Sequence, residues 1–205
     1  MRGSSFVTLP HLMVRHELRL LAGLWLWAAR RTDGATAGGA VFGYARGQGA
    51  MMAGFGFVCV VETVMLSLLL RDWPTVHLVV LVLDVYTIVF VAGLHAASVV
   101  RPHVLDPDAG TLRVRQAVHV DVRIPLERIA SVRRELRTTH ERGADGELDL
   151  VVGAQTSVTI ELAEPVAHVT FLGRRREVRV VRFHADDAGG LVRAVERARD
   201  GYAVP

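Results

Sequence analysis

Two long apolar runs joined by a five-residue loop constrain this chain more than any other feature. Ala50–Leu70 reads AMMAGFGFVCVVETVMLSLLL and holds one charge in 21 residues. Val76–Val100 reads VHLVVLVLDVYTIVFVAGLHAASVV, 25 residues with one acid and two histidines. A helix of about 20 apolar residues crosses the ~30 Å hydrocarbon core of a bilayer. Both runs qualify, so the sequence predicts a transmembrane hairpin over residues 50–100, with spans at 50–70 and 76–100. A pair of core helices in a soluble protein is the competing reading. The remaining sequence offers no matching apolar surface to cover such a pair.

The charges are distributed to suit that reading. Residues 1–49 carry a net charge of +4, residues 50–100 carry −2 and residues 101–205 carry +1. Only the middle block is short of charge, so the apolar surplus is local. Arg30, Arg31 and Arg46 precede the first span, and Arg101, Arg113 and Arg115 follow the second. The loop Arg71-Asp72-Trp73-Pro74-Thr75 has a single cation. The positive-inside rule therefore puts both ends of the chain in the cytoplasm and the loop outside. Trp73 suits the outer aromatic belt. All 24 cationic side chains are Arg, as codon use in a GC-rich genome produces. They alternate with acids and are not interleaved with aromatics, which argues against a nucleic-acid partner. Cys59 is the only cysteine, so an internal disulfide and a CxxC site are excluded.

Upstream, Glu17–Arg31 reads ELRLLAGLWLWAARR. Its apolar stretch, Leu20–Ala29, spans only ~15 Å as a helix, too short to cross. Trp25 and Trp27 between basic ends suit an amphipathic helix at the cytoplasmic interface. A signal peptide competes, because Ala35-Thr36-Ala37 is a permissible cleavage pattern. Arg30 and Arg31, directly after the apolar stretch, argue against it. Thr32–Gly49 is rich in Gly and Ala and reads as a connector.

Each span carries one acid. Glu62 lies eleven residues before Trp73 and Asp84 eleven after it, so in a hairpin they share a depth. At about 100° per residue, His77, Asp84 and His95 fall on one stripe of the second helix. On the first helix Glu62 sits among bulky Phe55, Val58, Leu66 and Leu69. Gly56, Cys59, Thr63 and Ser67 form a separate small-residue stripe, which favours close helix approach. Two packings are open. The Asp84 stripe can meet the small stripe with Glu62 at the flank, or it can meet Glu62 directly with the helices further apart. Gly93 and Ala97, opposite Asp84, offer a seat for a third helix. A mid-span acid costs about 2.5–3.5 kcal/mol on insertion scales. Glu62 and Asp84 are therefore either structural, fixing register or assembly, or a proton- or cation-responsive pair that includes His95. His77 and His95 lie near the ends of their span, where they meet water or headgroups. No metal-ligand spacing surrounds them.

After Arg101-Pro102-His103 the pattern changes to strand period. Val118, Val120, Val122 and Ile124 alternate with polar residues, and Val158, Ile160 and Leu162 do the same. Seven strands are predicted, at 111–116, 118–124, 129–135, 147–152, 157–161, 167–172 and 177–183. The slip between Val178, Val180 and Val181, Phe183 suggests a bulge. Asp186 or Asp187 can cap a final helix at about 187–199, with Leu191, Val195 and Ala198 on its apolar face. Gly189 and Gly190 are expected to weaken its first turn.

The stretch LRVRQAVHVDVRIPLERIASV, Leu112 to Val132, resembles the bacterial pleckstrin-homology-like (PH-like) domains that follow transmembrane hairpins. Those domains have an opening strand, a turn, a second strand ending in Ile/Val-Pro-Leu, and an Ile that starts the third. The likeness spans about residues 104–199, and Gln116-Ala117 stand where the family usually has a Gly at the first turn. The resemblance implies a seven-stranded antiparallel β-barrel or sandwich with a C-terminal α-helix over residues 101–205. It also implies a cytoplasmic binding or assembly module of a bacterial inner-membrane protein. It supplies no catalytic residue, cofactor or metal. The expected partners are membrane lipids and either a second copy or another membrane protein. Arg174, Arg175 and Arg176 are candidate contacts for anionic headgroups, each worth about 1 kcal/mol near a charged leaflet. No GxSxG, HExxH, P-loop or dinucleotide pattern is present, and the chain is expected to be non-enzymatic. A proton- or cation-responsive hairpin with the β domain as readout is the alternative function, and a subunit of a larger transporter is a third.

Overall fold

A computed structural model describes the backbone of residues 9–34, 38–138, 144–170 and 175–202. The chain runs through helix α1 (Leu9–Ala28), strand β1 (Ala40–Phe42), helices α2 (Gly49–Leu69) and α3 (Pro74–Val100), and strands β2 (His103–Asp106), β3 (Thr111–Gln116) and β4 (Val120–Pro125). Strands β5 (Ile129–Thr138), β6 (Glu147–Leu150), β7 (Gln155–Val169) and β8 (Arg175–Phe183) follow, and helix α4 (Ala188–Tyr202) closes the fold.

Helices α2 and α3 are long and apolar enough to cross a membrane; α2 has no buried residue, and those of α3 lie between Gly93 and Val100. The chain reverses between them at Arg71-Asp72-Trp73. Pro74 starts α3, where its missing N–H is no loss. Helix α1 begins at Leu9, before the start expected from the sequence, and packs on the second half of α3. Gly93 and Ala97 receive Leu20 and Gly23 there, and Leu20 and Ala97 are both buried. Glu17 accepts a 2.6 Å hydrogen bond from the Tyr86 hydroxyl on the same side.

The β domain holds eight strands in two four-stranded sheets, not closed into a barrel. The first sheet has the order β1-β2-β3-β4, all antiparallel. The second has the order β5-β7-β8-β6, and its β6–β8 pair is parallel. The expectation of a seven-stranded antiparallel barrel is thus corrected on three points. First, β1 comes from the Gly/Ala-rich connector: Ala40 faces Leu105 and Phe42 faces His103. A three-residue strand gives no readable alternation. Second, the strands expected at 157–161 and 167–172 are one strand, β7. Its pairing with β8 lapses between Glu161 and Val166, where Pro165 lacks the N–H a ladder needs. The slip noted at Val180–Val181 is matched by these extra residues on β7, while β8 itself runs without a break. Third, β2 at His103–Asp106 precedes the first strand expected, at 111–116, and pairs with both β1 and β3. Pro125 ends β4, and a single turn over Leu126–Arg128 carries the chain from one sheet to the other.

Both sheets contribute to one core. Leu105, Leu112, Val114, Val122 and Ile124 of the first meet Ile129, Val158, Ile160, Val181 and Phe183 of the second. Helix α4 adds Leu191 and Val195, both wholly buried. Its cap is Asp187, whose carboxylate accepts the Gly190 N–H at 2.8 Å. A Cβ on Gly190 would lie 2.1 Å from that carboxylate. The glycine expected to weaken the first turn is what admits the cap.

Candidate functional site

The structure places the polar residues of the hairpin as follows. The half-buried side of α2 runs through Gly56, Cys59, Thr63 and Ser67, and that of α3 through His77, Asp84, Ile88, Val91 and His95. The small stripe is therefore the contact, and Glu62 is exposed at its flank. No hydrogen bond or ion pair joins Glu62 to Asp84 among the described residues. The Thr63, Thr87 and Ser98 hydroxyls each donate to the backbone carbonyl four residues earlier. Asp84 Oδ2, His77 Nε2 and His95 Nδ1 are buried with no partner. The His95 ring stands edge-on to Trp27 at 6.3 Å, beside an apolar cavity of about 340 Å³ between α1, α2 and α3.

Of the three arginines singled out near the end of the domain, Arg174 lies outside the described residues. Arg175 is exposed at the start of β8, and Arg176 pairs with Asp145 at 3.7 Å. The other end of β8 leads to Asp186, which accepts the Arg46 N–H at 3.3 Å just before α2. Arg175 and Arg176 thus sit a strand's length, about 26 Å, from the roots of the helices.

A different group of arginines gathers at those roots. Arg101 directly follows α3. Its Nε donates to Asp33 Oδ2 at 3.1 Å and its Nη2 to the Arg19 carbonyl at 3.5 Å. The Asp33 N–H donates in turn to the Val100 carbonyl at 2.8 Å. Arg113 and Arg115 come from β3. Arg113 grips Asp121 on β4 through one edge of its guanidinium, Nε to Oδ1 at 2.7 Å and Nη2 to Oδ2. This hydrogen bonding pushes the Arg113 pKa further up.

Arg115 is only 2% exposed, the largest fully buried side chain among the described residues. Its Nη1 donates to the Asp33 carbonyl at 2.8 Å, while its Nε and Nη2 are buried with no acceptor. Burial lowers its pKa, and the neighbouring charge of Arg113 adds to the effect. A guanidinium nevertheless stays protonated in proteins. An uncompensated buried charge costs several kcal/mol after relaxation. Gly34, at φ 72°, makes the site fit: a Cβ there would lie 2.7 Å from Arg115 Nη2. These residues surround a cavity of about 190 Å³, floored by Ala117 and Val118 of the β3–β4 turn.

The walls of this junction are held by neutral groups. His103 Nδ1 accepts the Arg115 backbone N–H at 3.2 Å, so the ring proton resides on Nε2 and is donated to the His184 carbonyl at 2.9 Å. Burial pushes the His103 pKa down to about 4, which keeps the ring neutral beside the arginines. The Tyr44 hydroxyl accepts the Ala117 N–H at 2.7 Å and its ring lies 4.9 Å from His103. Ala117 adopts φ 47°, the left-handed conformation a glycine would take more cheaply.

Sequence reasoning missed this cavity. Arg113 and Arg115 counted only as cations after the second span, and Asp33 as part of a connector. The available signal was two arginines, two apart, on a strand that directly follows a membrane-length helix. Compared with protein-family models, curated proteins and solved structures, the chain matches none.

Proposed function

We propose that this chain is a non-enzymatic membrane protein of the bacterial inner membrane, in which a helical hairpin anchors a cytoplasmic PH-like module that binds a protein or membrane headgroups. One observation carries the reading: α2 has no buried residue although its mean hydropathy is that of a membrane span. Phe55, Phe57, Val58, Met65, Leu68 and Leu69 are all exposed. Leaving such side chains in water forfeits about 1.5–3 kcal/mol each. The β domain has a core of its own, formed by both sheets and α4. Two sheets around one core, closed by a C-terminal helix, support the PH-like assignment. The eighth strand and the parallel β6–β8 pair are departures from it.

The test is carbonate extraction combined with cysteine labelling in a Cys59→Ala background. The chain should stay with the membrane. A cysteine at Thr75 should react from outside, and one at Ala144 only after permeabilisation. Release by carbonate, or the reverse labelling, overturns the reading. Pull-down from mild detergent then seeks the partner of the β domain.

The unpartnered Asp84, His77 and His95 atoms favour a second reading, in which the hairpin assembles with another copy or responds to protons. Asp84→Asn with Glu62→Gln separates the two. Loss of a pH response with normal insertion and abundance supports the responsive site, and loss of assembly alone supports the structural one.

A further inference from the structure

We propose that the junction cavity binds a phosphate-class oxyanion, gripped by Arg115 and attracted by Arg19, Arg101 and Arg113. Four arginines line the cavity against two aspartates, so positive charge is in excess. Both aspartates are already engaged, Asp33 by Arg101 and Asp121 by Arg113. What is missing is an acceptor for Arg115 Nε and Nη2, both buried. These two nitrogens share one edge of the planar guanidinium and present parallel hydrogens. That edge matches two oxygens of a phosphate in the bidentate geometry arginine favours.

The position indicates where the phosphate comes from. Helix α3 has 27 residues and so extends about 40 Å, the thickness of a bilayer with its headgroup regions. Arg101 follows its last residue and lies at headgroup level on the cytoplasmic side. Exposed Leu18 and Leu21 flank Arg19 on α1 and provide an apolar approach for acyl chains. An anionic phospholipid offers both parts. The lipid source rests on the membrane reading above, whereas the oxyanion site does not.

The experiment uses the full chain in neutral detergent and follows its melting temperature. The probes are inorganic phosphate, acetate, and the short-chain lipids dihexanoyl phosphatidylglycerol and dihexanoyl phosphatidylcholine, at matched ionic strength. The expected result is a saturable rise with phosphatidylglycerol that phosphatidylcholine and acetate do not reproduce. Arg115→Lys, which keeps the charge but loses the fork, and Arg19→Gln should each weaken binding at least tenfold. Arg197→Gln, exposed on α4 and outside the cavity, should bind as wild type. Unliganded melting of each variant separates loss of the site from loss of the fold. Tighter binding of phosphatidylglycerol than of inorganic phosphate assigns the site to a lipid. Equal or tighter binding of inorganic phosphate assigns it to a soluble ion, and the site stands in both cases. The proposal is overturned if neither phosphate probe gives a saturable shift, if acetate matches them, or if both junction variants bind as wild type. Carbonate extraction tests the membrane reading separately, so the two can fail independently.

Discussion

The hairpin and the β domain treat apolar groups and buried charges in opposite ways. In the β domain Phe183, Leu112, Ile124 and Leu191 are buried, and half-buried charges meet counter-charges. Arg182 is the example: it bonds both oxygens of Glu147, at 2.7 and 2.8 Å, and Asp149 at 3.1 Å. The Arg182 hydrogen bonds hold Glu147 well below the usual carboxylate range, at about 2. In the hairpin the large apolar side chains face outward, and Asp84, His77 and His95 hide atoms that bond to nothing. Arg115 stands on the border, buried like a core residue yet lacking the counter-charges that Arg182 has.

The sharpest way to break this contrast is to truncate one aromatic on each side. Phe183→Ala removes a wholly buried ring that stands edge-on to His103 at 4.7 Å. It should cost about 3–5 kcal/mol in denaturant unfolding of the full chain in detergent. Phe57→Ala on exposed α2 should change the same measurement by under ~0.5 kcal/mol. Equal losses would mean that α2 has a protein surface against it. Next in size is Glu62→Leu. Its carboxylate makes no hydrogen bond or ion pair among the described residues, so removal should improve hairpin insertion by about 2.5–3.5 kcal/mol in a glycosylation-based insertion assay. No gain would show that Glu62 does not reach the hydrocarbon core.

The acid response comes third. His103 has a folded pKa of about 4 against an unfolded value of 6.5. Its neutral form is the one the fold keeps, so this contribution is fully present above pH 6.5 and is lost as pH falls through about 4. The loss should reach up to about 3 kcal/mol of β-domain stability. Denaturant midpoints measured between pH 7 and pH 4 check it, and His103→Gln should flatten the profile. Glu147 is lowered too, so its contribution fades only in more acidic solution, from 4.5 down through about 2. The smallest effect concerns the β3–β4 turn. Ala117→Gly relieves the left-handed strain and should stabilise by about 0.5–1 kcal/mol, read as a higher unfolding midpoint. Destabilisation would mean that the Ala117 methyl, packed near Leu20 and Ala97, outweighs its backbone strain.

Much of the fold was legible because it obeys simple periods. The spans expected at 50–70 and 76–100 are helices at Gly49–Leu69 and Pro74–Val100. Leu191 and Val195 do face the core from α4. What escaped was set by distant partners. Strand β1 exists because β2 is there to receive it, and β6 lies parallel to β8 although no crossover pattern announces it. The junction escaped for a related reason. Alternation puts Arg115 on the outer face of its sheet, but the segment through Asp33 and Gly34 covers that face. A residue that points away from one core can still be buried by a neighbouring segment, and period counting has no means to register it.

The pairing of β1 with β2 has a consequence for synthesis. These neighbouring strands are separated in sequence by both long helices, so the hairpin is in effect an insertion between two adjacent strands of one sheet. As the ribosome delivers the chain, β1 emerges first and has no partner until α3 has passed. With α2 and α3 in the bilayer, insertion must finish before the sheet can acquire its edge. The β1–β2 pairing would then report that both spans are in place, a built-in check on the order of assembly.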